Sequence, residues 1–338
     1  MLRILHVGLG PLGQKIIADI YDRGLGEVVA AVDNASEFEG RKVSDLVPAT
    51  NARIPIQKSF AALQDWRSFD AAIVTTSSDL ERCAPSLREL LRRGQTIVST
   101  CEELFWPYLR HQKLATELDL LAKECHGRLL GTGVNPGFLM DTFPVAATGI
   151  SRSVRSVEVH RYQDAASRRI PFQKKIGVGL DEKQFAEAVK QGSLRHVGLG
   201  ESLHFIAHCL GFKLERWEES VEPVRAELDM DSGLGPVKKG RMCGVRQEAR
   251  AWQDKKCVIT LKFQAAIGQI EPHDRVIVHG EPPIDLVWKG GVQGDVATSA
   301  IVLNSIRSLR AAPFGLHTMA SIPLVGCAPG EKLVGAHG

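Results

Sequence analysis

The sequence predicts an α/β protein, with an amino-terminal, doubly wound parallel sheet and a second α+β domain built on an open mixed sheet. Three observations carry this. A short apolar run passes through Gly-x-Gly-x-x-Gly into a segment of helical spacing. Apolar strands then alternate with helices as far as residue 131. Beyond Ser153 the pattern changes to strand-like alternation. At 338 residues the chain has length for about two domains, expected at 1–148 and from 149 onward.

Leu2–Val7 is the first strand, and 15–21 carries Ile16, Ile17, Ile20 and Tyr21 at helical spacing. Between them lies Gly8-Leu9-Gly10-Pro11-Leu12-Gly13. In this order Gly8 makes the tight turn, Gly10 lets the backbone approach a pyrophosphate, and Gly13 lets helix and strand touch. The helix N-terminus, with Leu12 in its first turn, then holds the anion, and the missing N–H of Pro11 costs nothing there. A second strand, 27–32, ends in Asp33, 20 residues after Gly13, where an acid accepts the adenosine ribose hydroxyls. This is a Rossmann dinucleotide-binding arrangement. Asp33 repels a 2′-phosphate and points to NAD, while Arg41 and Lys42 nearby keep NADP open.

The strand Ala71–Val74 ends in Thr75-Thr76-Ser77-Ser78, a helix is expected over 81–93, and Thr96–Ser99 ends in Thr100-Cys101-Glu102-Glu103. Ligands of such sheets lie at the carboxyl ends of the strands, so Thr75, Thr76, Ser77, Thr100 and Cys101 are expected to face the cofactor. Asn135 and Gly137 join them from the glycine-punctuated segment after the strand Arg128–Gly131. Glu102 and Glu103 stand where the acid/base group of an α/β oxidoreductase belongs. The alternative is two solvated residues favoured by a helix start. Cys101 has no neighbouring base to make it a nucleophile.

In the second half, Val154, Val157 and Val159 alternate, and further strands are expected at 257–263, 275–279 and 286–288. Helices are expected over 182–191, 200–210 and 294–312, and the Gly/Pro-rich stretch 229–240 reads as a mobile loop. Phe138, Met140 and Phe143, with Tyr162, Phe172 and Ile176, are candidate pocket residues; such a lining suits a small ketone or amine better than a polyanion. Arg161, Arg168, Arg169, Lys174 and Lys175 read as a solvated basic loop or as a grip on a substrate carboxylate. His204 and His208 share a helix face but lack a third ligand, so no metal is expected.

The net charge of +3 argues against a nucleic-acid or anionic-membrane partner. No apolar run reaches the roughly eighteen residues of a membrane helix, and the amino terminus enters a strand directly, so neither membrane span nor signal peptide is expected. Seven cysteines without a Cys-x-x-Cys pair fit reduced thiols in a cytoplasm.

Ser99-Thr100-Cys101-Glu102-Glu103-Leu104, Gly131-Thr132-Gly133-Val134-Asn135-Pro136-Gly137-Phe138 and Gly294-Asp295-Val296-Ala297-Thr298 together resemble the 2,4-diaminopentanoate dehydrogenase and native amine dehydrogenase family, a branch related to dihydrodipicolinate reductase. The resemblance covers essentially the whole chain. It implies NAD(P)-dependent interconversion of an amine with a ketone or aldehyde plus ammonia, a catalytic glutamate with Glu102 preferred over Glu103, and a homodimer. It also implies that 293–338 returns to complete the first domain, leaving 149–292 for substrate and oligomerisation. The chemistry agrees, because reductive amination passes through a cationic iminium that a carboxylate stabilises. The reductase's substrate motif would fall at Glu158-Val159-His160-Arg161-Tyr162-Gln163-Asp164-Ala165-Ala166-Ser167, where its second His, its Lys and its Pro-Ser-Gly-Thr loop are missing. Reduction of a cyclic imine or action on 2,4-diaminopentanoate is therefore the alternative enzyme reading, and a non-catalytic dinucleotide sensor the alternative from another class.

Overall fold

The computed structural model describes residues 1–330 except Gln64, Ser193, Arg195 and the Arg67 side chain. Positions 331–338 of the expected tail lie outside the described residues. The chain forms two compact units, Met1–Phe138 with Gly294–Gly338, and Leu139–Gln293. The first break falls at 138/139 instead of the expected 148/149.

The first unit runs β1 (Leu2–Val7), α1 (Pro11–Asp22), β2 (Gly26–Val32), α2 (Val43–Leu46), β3 (Ile56–Gln57), β4 (Ala71–Val74), α3 (Leu80–Leu91), β5 (Thr96–Ser99), α4 (Glu102–Phe105), α5 (Gln112–Glu124) and β6 (Arg128–Gly131). The second holds α6 (Thr142–Ala147), β7 (Ser153–Asp164), α7 (Ile170–Lys175), α8 (Glu182–Lys190), α9 (Leu199–Leu210), β8 (Arg216–Arg225), β9 (Met230–Ser232), β10 (Gly235–Val237), β11 (Met242–Gln253), β12 (Lys256–Ala266), β13 (His273–Glu281) and β14 (Ile284–Lys289). The chain then re-enters the first unit as α10 (Gly294–Arg310) and β15 (Gly315–His317).

The first sheet has the order β15-β6-β5-β4-β1-β2-β3, and every pair in it is parallel. Its central strands read as unbroken apolar runs because helices cover both faces; β4 and β5 are buried at every position. On one side α1 sinks Ile16, Ile17 and Ile20, and α10, packed beside it, sinks Ile301, Val302, Leu303, Ile306 and Leu309. The returning segment is tied in by polar bonds: the Arg23 guanidinium donates to Asn304 Oδ1 (2.7 Å), and the Leu316 N–H donates to Asp119 Oδ1 (2.9 Å).

The second sheet has the order β14-β13-β7-β12-β11-β8, with β7 and β12 parallel and the other pairs antiparallel. Its core lies on one face, where Val157 and Val159 of β7 meet Leu203, Ile206 and Ala207 of α9. Alternation along β7 sends Glu158, His160 and Tyr162 to the other face. Residues 229–240 are not a featureless loop: β9 and β10 form a hairpin there, Gly235 pairs with Ser232, and the Ser232 hydroxyl donates to the Gly235 carbonyl at 2.7 Å. Among the described residues no helix is long and apolar enough to cross a membrane.

His6, in β1, is fully buried, and neither ring nitrogen has a hydrogen-bond partner. Burial pushes its pKa down to about 4; a polar approach to the Gly8 backbone, short of hydrogen-bond geometry, offsets only part of this. The folded protein thus keeps His6 neutral where the unfolded chain protonates it, so the unfolded state binds the extra proton between about pH 6.5 and 4. Stability contributed by the neutral ring is present above that window and is lost as pH falls through it, by roughly 3 kcal/mol. His6→Leu removes this linkage. The difference in unfolding free energy between wild type and variant, measured by denaturant titration, is expected to shift in favour of the variant as pH drops from 6.5 to 4.

Candidate functional site

The strands of the first sheet deliver their candidate residues to one edge by a single device. One residue past the end of a strand, the backbone N–H still bonds the last carbonyl of the neighbouring strand. Gly8 donates to Val32 (2.9 Å), Asp33 to Gln57 (2.9 Å), Thr75 to Val7 (2.8 Å), Thr100 to Val74 (3.0 Å) and Thr132 to Ser99 (2.9 Å). The glycine turn, Asp33, Thr75 to Ser77, Thr100 to Glu103 and the Thr132 to Gly137 segment therefore all start from the carboxyl edge. The strand order reverses between β1 and β4, which is where such sheets bind ligands.

Gly8 has φ +94°, and a Cβ on Gly13 would come within 2.2 Å of the Gly8 carbonyl oxygen. Both positions exclude side chains, and the Thr75 hydroxyl locks the turn by donating to that same oxygen at 2.7 Å. Around Gly10 the space is open. No side chain caps the N-terminus of α1 and its first turn holds no acid, so its N–H groups suit an anion. Asp33 is oriented by two backbone donors, Leu9 N–H to Oδ2 (2.6 Å) and Ala35 N–H to Oδ1 (2.9 Å), and each oxygen keeps a lone pair for a diol. These residues fit a dinucleotide: a diol acceptor, room for a pyrophosphate at Gly10 and an exposed helix start. Arg41 Nη2 donates to the Asp45 carbonyl (3.1 Å).

The two neighbouring glutamates have different surroundings. Glu103 Oε2 accepts the Leu80 N–H at the start of α3 (2.9 Å) and lies 2.9 Å from His111 Nε2, while the Glu103 N–H donates to the Ser78 carbonyl (3.3 Å). Glu102 precedes it in the first turn of α4, half-buried. Cys101 is buried, and its thiol donates to the Ser78 carbonyl at 3.2 Å. Hydrogen bonding to Cys83, with burial, pushes that thiol up, which disfavours the thiolate a nucleophile needs. Thr76 and Ser77 hydroxyls are likewise turned to their own chain, toward Cys83 Sγ (3.6 Å) and the Asp79 N–H (3.2 Å). In the last strand-end segment Gly137 has φ +140° and packs on the Gly133 backbone, with Asn135 beside it almost fully buried.

Four of the expected pocket residues share the apolar cluster of the second unit, and Tyr162 does not. Phe138 ends the first unit. Met140 and Ile176 are core residues of the second unit, with Phe143 and Phe172 packed against that core. Phe143 meets Trp288 edge-on at 4.7 Å. Tyr162 is on the opposite face of the sheet, stacked on His160 at 5.6 Å and tilted against His273 at 4.9 Å. The reason is the two-residue period of β7, which sets Tyr162 apart from Val157 and Val159. Arg161 is no loop cation: it is buried, donates to Asp274 Oδ1 (2.7 Å) and reaches the Val292 carbonyl (3.2 Å). His204 Nδ1 donates to the Gly200 carbonyl (2.8 Å), and no group of three or more metal-binding side chains occurs among the described residues. His111 escaped the sequence reading because its link to Glu103 crosses a loop; a lone histidine before a helical segment was the only signal.

Residues 138–333 match the family described as 2,4-diaminopentanoate dehydrogenase C-terminal domain. The chain is 28% identical over 334 residues to 2,4-diaminopentanoate dehydrogenase of Acetoanaerobium sticklandii, spanning 96% of this chain and 94% of that one. Its structure is similar to that of an amine dehydrogenase from Mycobacterium smegmatis, with a TM-score of 0.85, 20% identity and coverage of 97% and 98% of the two chains. UDP-N-acetylglucosamine 3-dehydrogenase from Acidithiobacillus ferrooxidans shares the fold more distantly, with a TM-score of 0.52, 13% identity and coverage of 93% and 90%. Because the family match takes in more than half of its residues, the chain belongs to the 2,4-diaminopentanoate dehydrogenase C-terminal domain family.

Proposed function

We propose that the chain is an NAD(P)-dependent oxidoreductase acting on the CH–NH2 group of a small amine, deaminating it to a ketone or aldehyde and ammonia and running the reverse reductive amination. The observation that carries this reading is a pair of unlike carboxylates at one sheet edge. Asp33, held by Leu9 and Ala35 N–H beside the open start of α1, is shaped for a ribose diol. Glu102, in the first turn of α4 after β5, adjoins a glutamate already taken up by Leu80 and His111.

A nicotinamide dinucleotide, when bound, supplies the two-electron acceptor or donor. Gly10 and the α1 N-terminus would hold its pyrophosphate and Asp33 its adenosine ribose. Glu102 would act on the substrate. In the deaminating direction its carboxylate takes a proton from the substrate ammonium or from the attacking water; in the aminating direction it stabilises the cationic iminium. A substrate carboxylate, such as that of 2,4-diaminopentanoate, would be met by groups other than Arg161, which is closed by Asp274. The Asp33 carboxylate favours NAD over NADP. A homodimeric assembly, from the family resemblance, and a cytoplasmic location, from the unpaired cysteines, go with this proposal; sedimentation velocity checks the first.

The deciding measurement follows reduction of NAD and NADP separately with 2,4-diaminopentanoate and a panel of small amines, and the reverse with ketones in high ammonium. Ammonium-dependent turnover supports the proposal; ammonium-independent turnover means an imine or carbonyl reductase, and tight binding without turnover means a sensor. Glu102→Gln is expected to lower kcat by about 10²-fold or more while NADH affinity by fluorescence titration stays within about threefold. Asp33→Ser is expected to weaken NADH about tenfold, through loss of charged hydrogen bonds, with a smaller loss for NADPH.

A further inference from the structure

We propose that Glu103 is a positioning residue: its carboxylate, clamped between the Leu80 N–H and His111 Nε2, holds the α4 turn in the place from which Glu102 acts. This rests on the reading of Glu102 given above.

The turn has little regular structure of its own. α4 is four residues long, begins without a side-chain cap, and ends at Trp106 in a non-helical conformation. A single helical turn in water is unstable by itself, so its position is set by what it is bonded to. One restraint is steric: a Cβ on Gly131 would meet the Leu104 carbonyl carbon at 2.6 Å and the Phe105 nitrogen at 2.7 Å, so α4 rests directly on the end of β6. Further restraints come from Ser78 and Leu80. The Cys101 thiol and the Glu103 N–H both donate to the Ser78 carbonyl, and the Glu103 carboxylate receives the Leu80 N–H.

His111 closes the far side. It is the residue before α5, its own N–H donates to the Pro107 carbonyl (2.8 Å), and its ring is fixed against Glu103. An ionised carboxylate only accepts, so His111 Nε2 carries the hydrogen in this contact. Glu81 stands farther off, with its carboxylate 3.8 Å from Nδ1. Both side chains of the pair are about 85% shielded, being 14% and 15% exposed, so the bond is not a solvent-screened surface contact. One carboxylate thus joins the starts of α3 and α5 to the turn between them.

The bonds are of a kind that glutamine reproduces. Its oxygen, in the place of Oε2, accepts both the Leu80 N–H and the His111 Nε2–H, as the carboxylate does. Alanine reproduces neither. A displacement of about 1 Å at a reacting group costs up to about 10²-fold in rate, so the chemical step is the quantity at risk.

The test compares Glu103→Ala, Glu103→Gln, His111→Ala and Glu102→Gln at a temperature where each is folded by circular dichroism, using 2,4-diaminopentanoate with NAD and hydrogen exchange of residues 80 and 100–106. Glu103→Ala is expected to lower kcat by about 30-fold or more, with KM and NADH affinity within about threefold, and to lose protection in both segments. Glu103→Gln is expected to recover most of kcat and the protection, and His111→Ala to fall between. Glu103→Gln as inactive as Glu102→Gln would place Glu103 in the chemistry and overturn the proposal. Unchanged kcat in Glu103→Ala, or in His111→Ala should the first variant not fold, would reduce the pair to an ordinary helix cap. Unchanged exchange of 100–106 in those variants overturns it without reference to any substrate. Full activity in Glu102→Gln sinks the underlying reading instead, whatever the Glu103 variants do.

Discussion

The parallel ladder of the first sheet runs one residue farther than the strands, and the site depends on that extension. Gly8, Asp33, Thr75, Thr100 and Thr132 each spend their N–H on the last carbonyl of a neighbouring strand. A loop that leaves its strand with that bond made has a fixed origin and direction, so five loops far apart in sequence start from one plane. The turn at Gly8 then needs no further help than two excluded side chains and one hydroxyl, that of Thr75.

Adjacent residues of one type can be given separate work when a short turn offers them different neighbours. Glu103 faces a helix start and an imidazole, and both are satisfied by a carboxylate that stays where it is. Glu102 is one residue earlier and about 100° around the turn. A hydroxyl and a thiol of the edge share the role of Glu103: Thr75 and Cys101 look from sequence like groups for a ligand, yet each is bonded to a backbone carbonyl that shapes the loop.

The first sheet was legible because its signals are redundant. Apolar runs of the right length, glycines in the required order and an acid at the end of the second strand all say the same thing, and the strands at 2–7, 71–74, 96–99 and 128–131 lie where periodicity puts them. The second unit was harder to read. β8 carries Pro223 and five charged residues among its ten, as an edge strand does, and β11 buries small residues with Gln247 among them, so neither is rich in the β-branched residues that announce a strand. Gln247 is satisfied by both backbone groups of His196, a partner 51 positions away in the chain. The candidate site was legible at the level of strand ends and not at the level of side chains. Nothing local distinguishes Glu102 from Glu103, Tyr162 from Val159 as pocket lining, or Arg161 from a surface arginine, because each distinction is made by a contact distant in sequence.

The return of the chain through α10 and β15 has a consequence for the order of events during synthesis. The second unit is one continuous stretch and is complete once residue 293 has emerged from the ribosome. The first unit begins earlier but must wait, since the strand that pairs with β6 ends only at His317 and the helix packed beside α1 starts at Gly294. For the time it takes to translate the intervening stretch, the outer edge of β6 is unpaired and the α1 side of the sheet lacks the cover of α10, the surfaces most open to pairing with another chain. The half that is made first is therefore the half that is finished last.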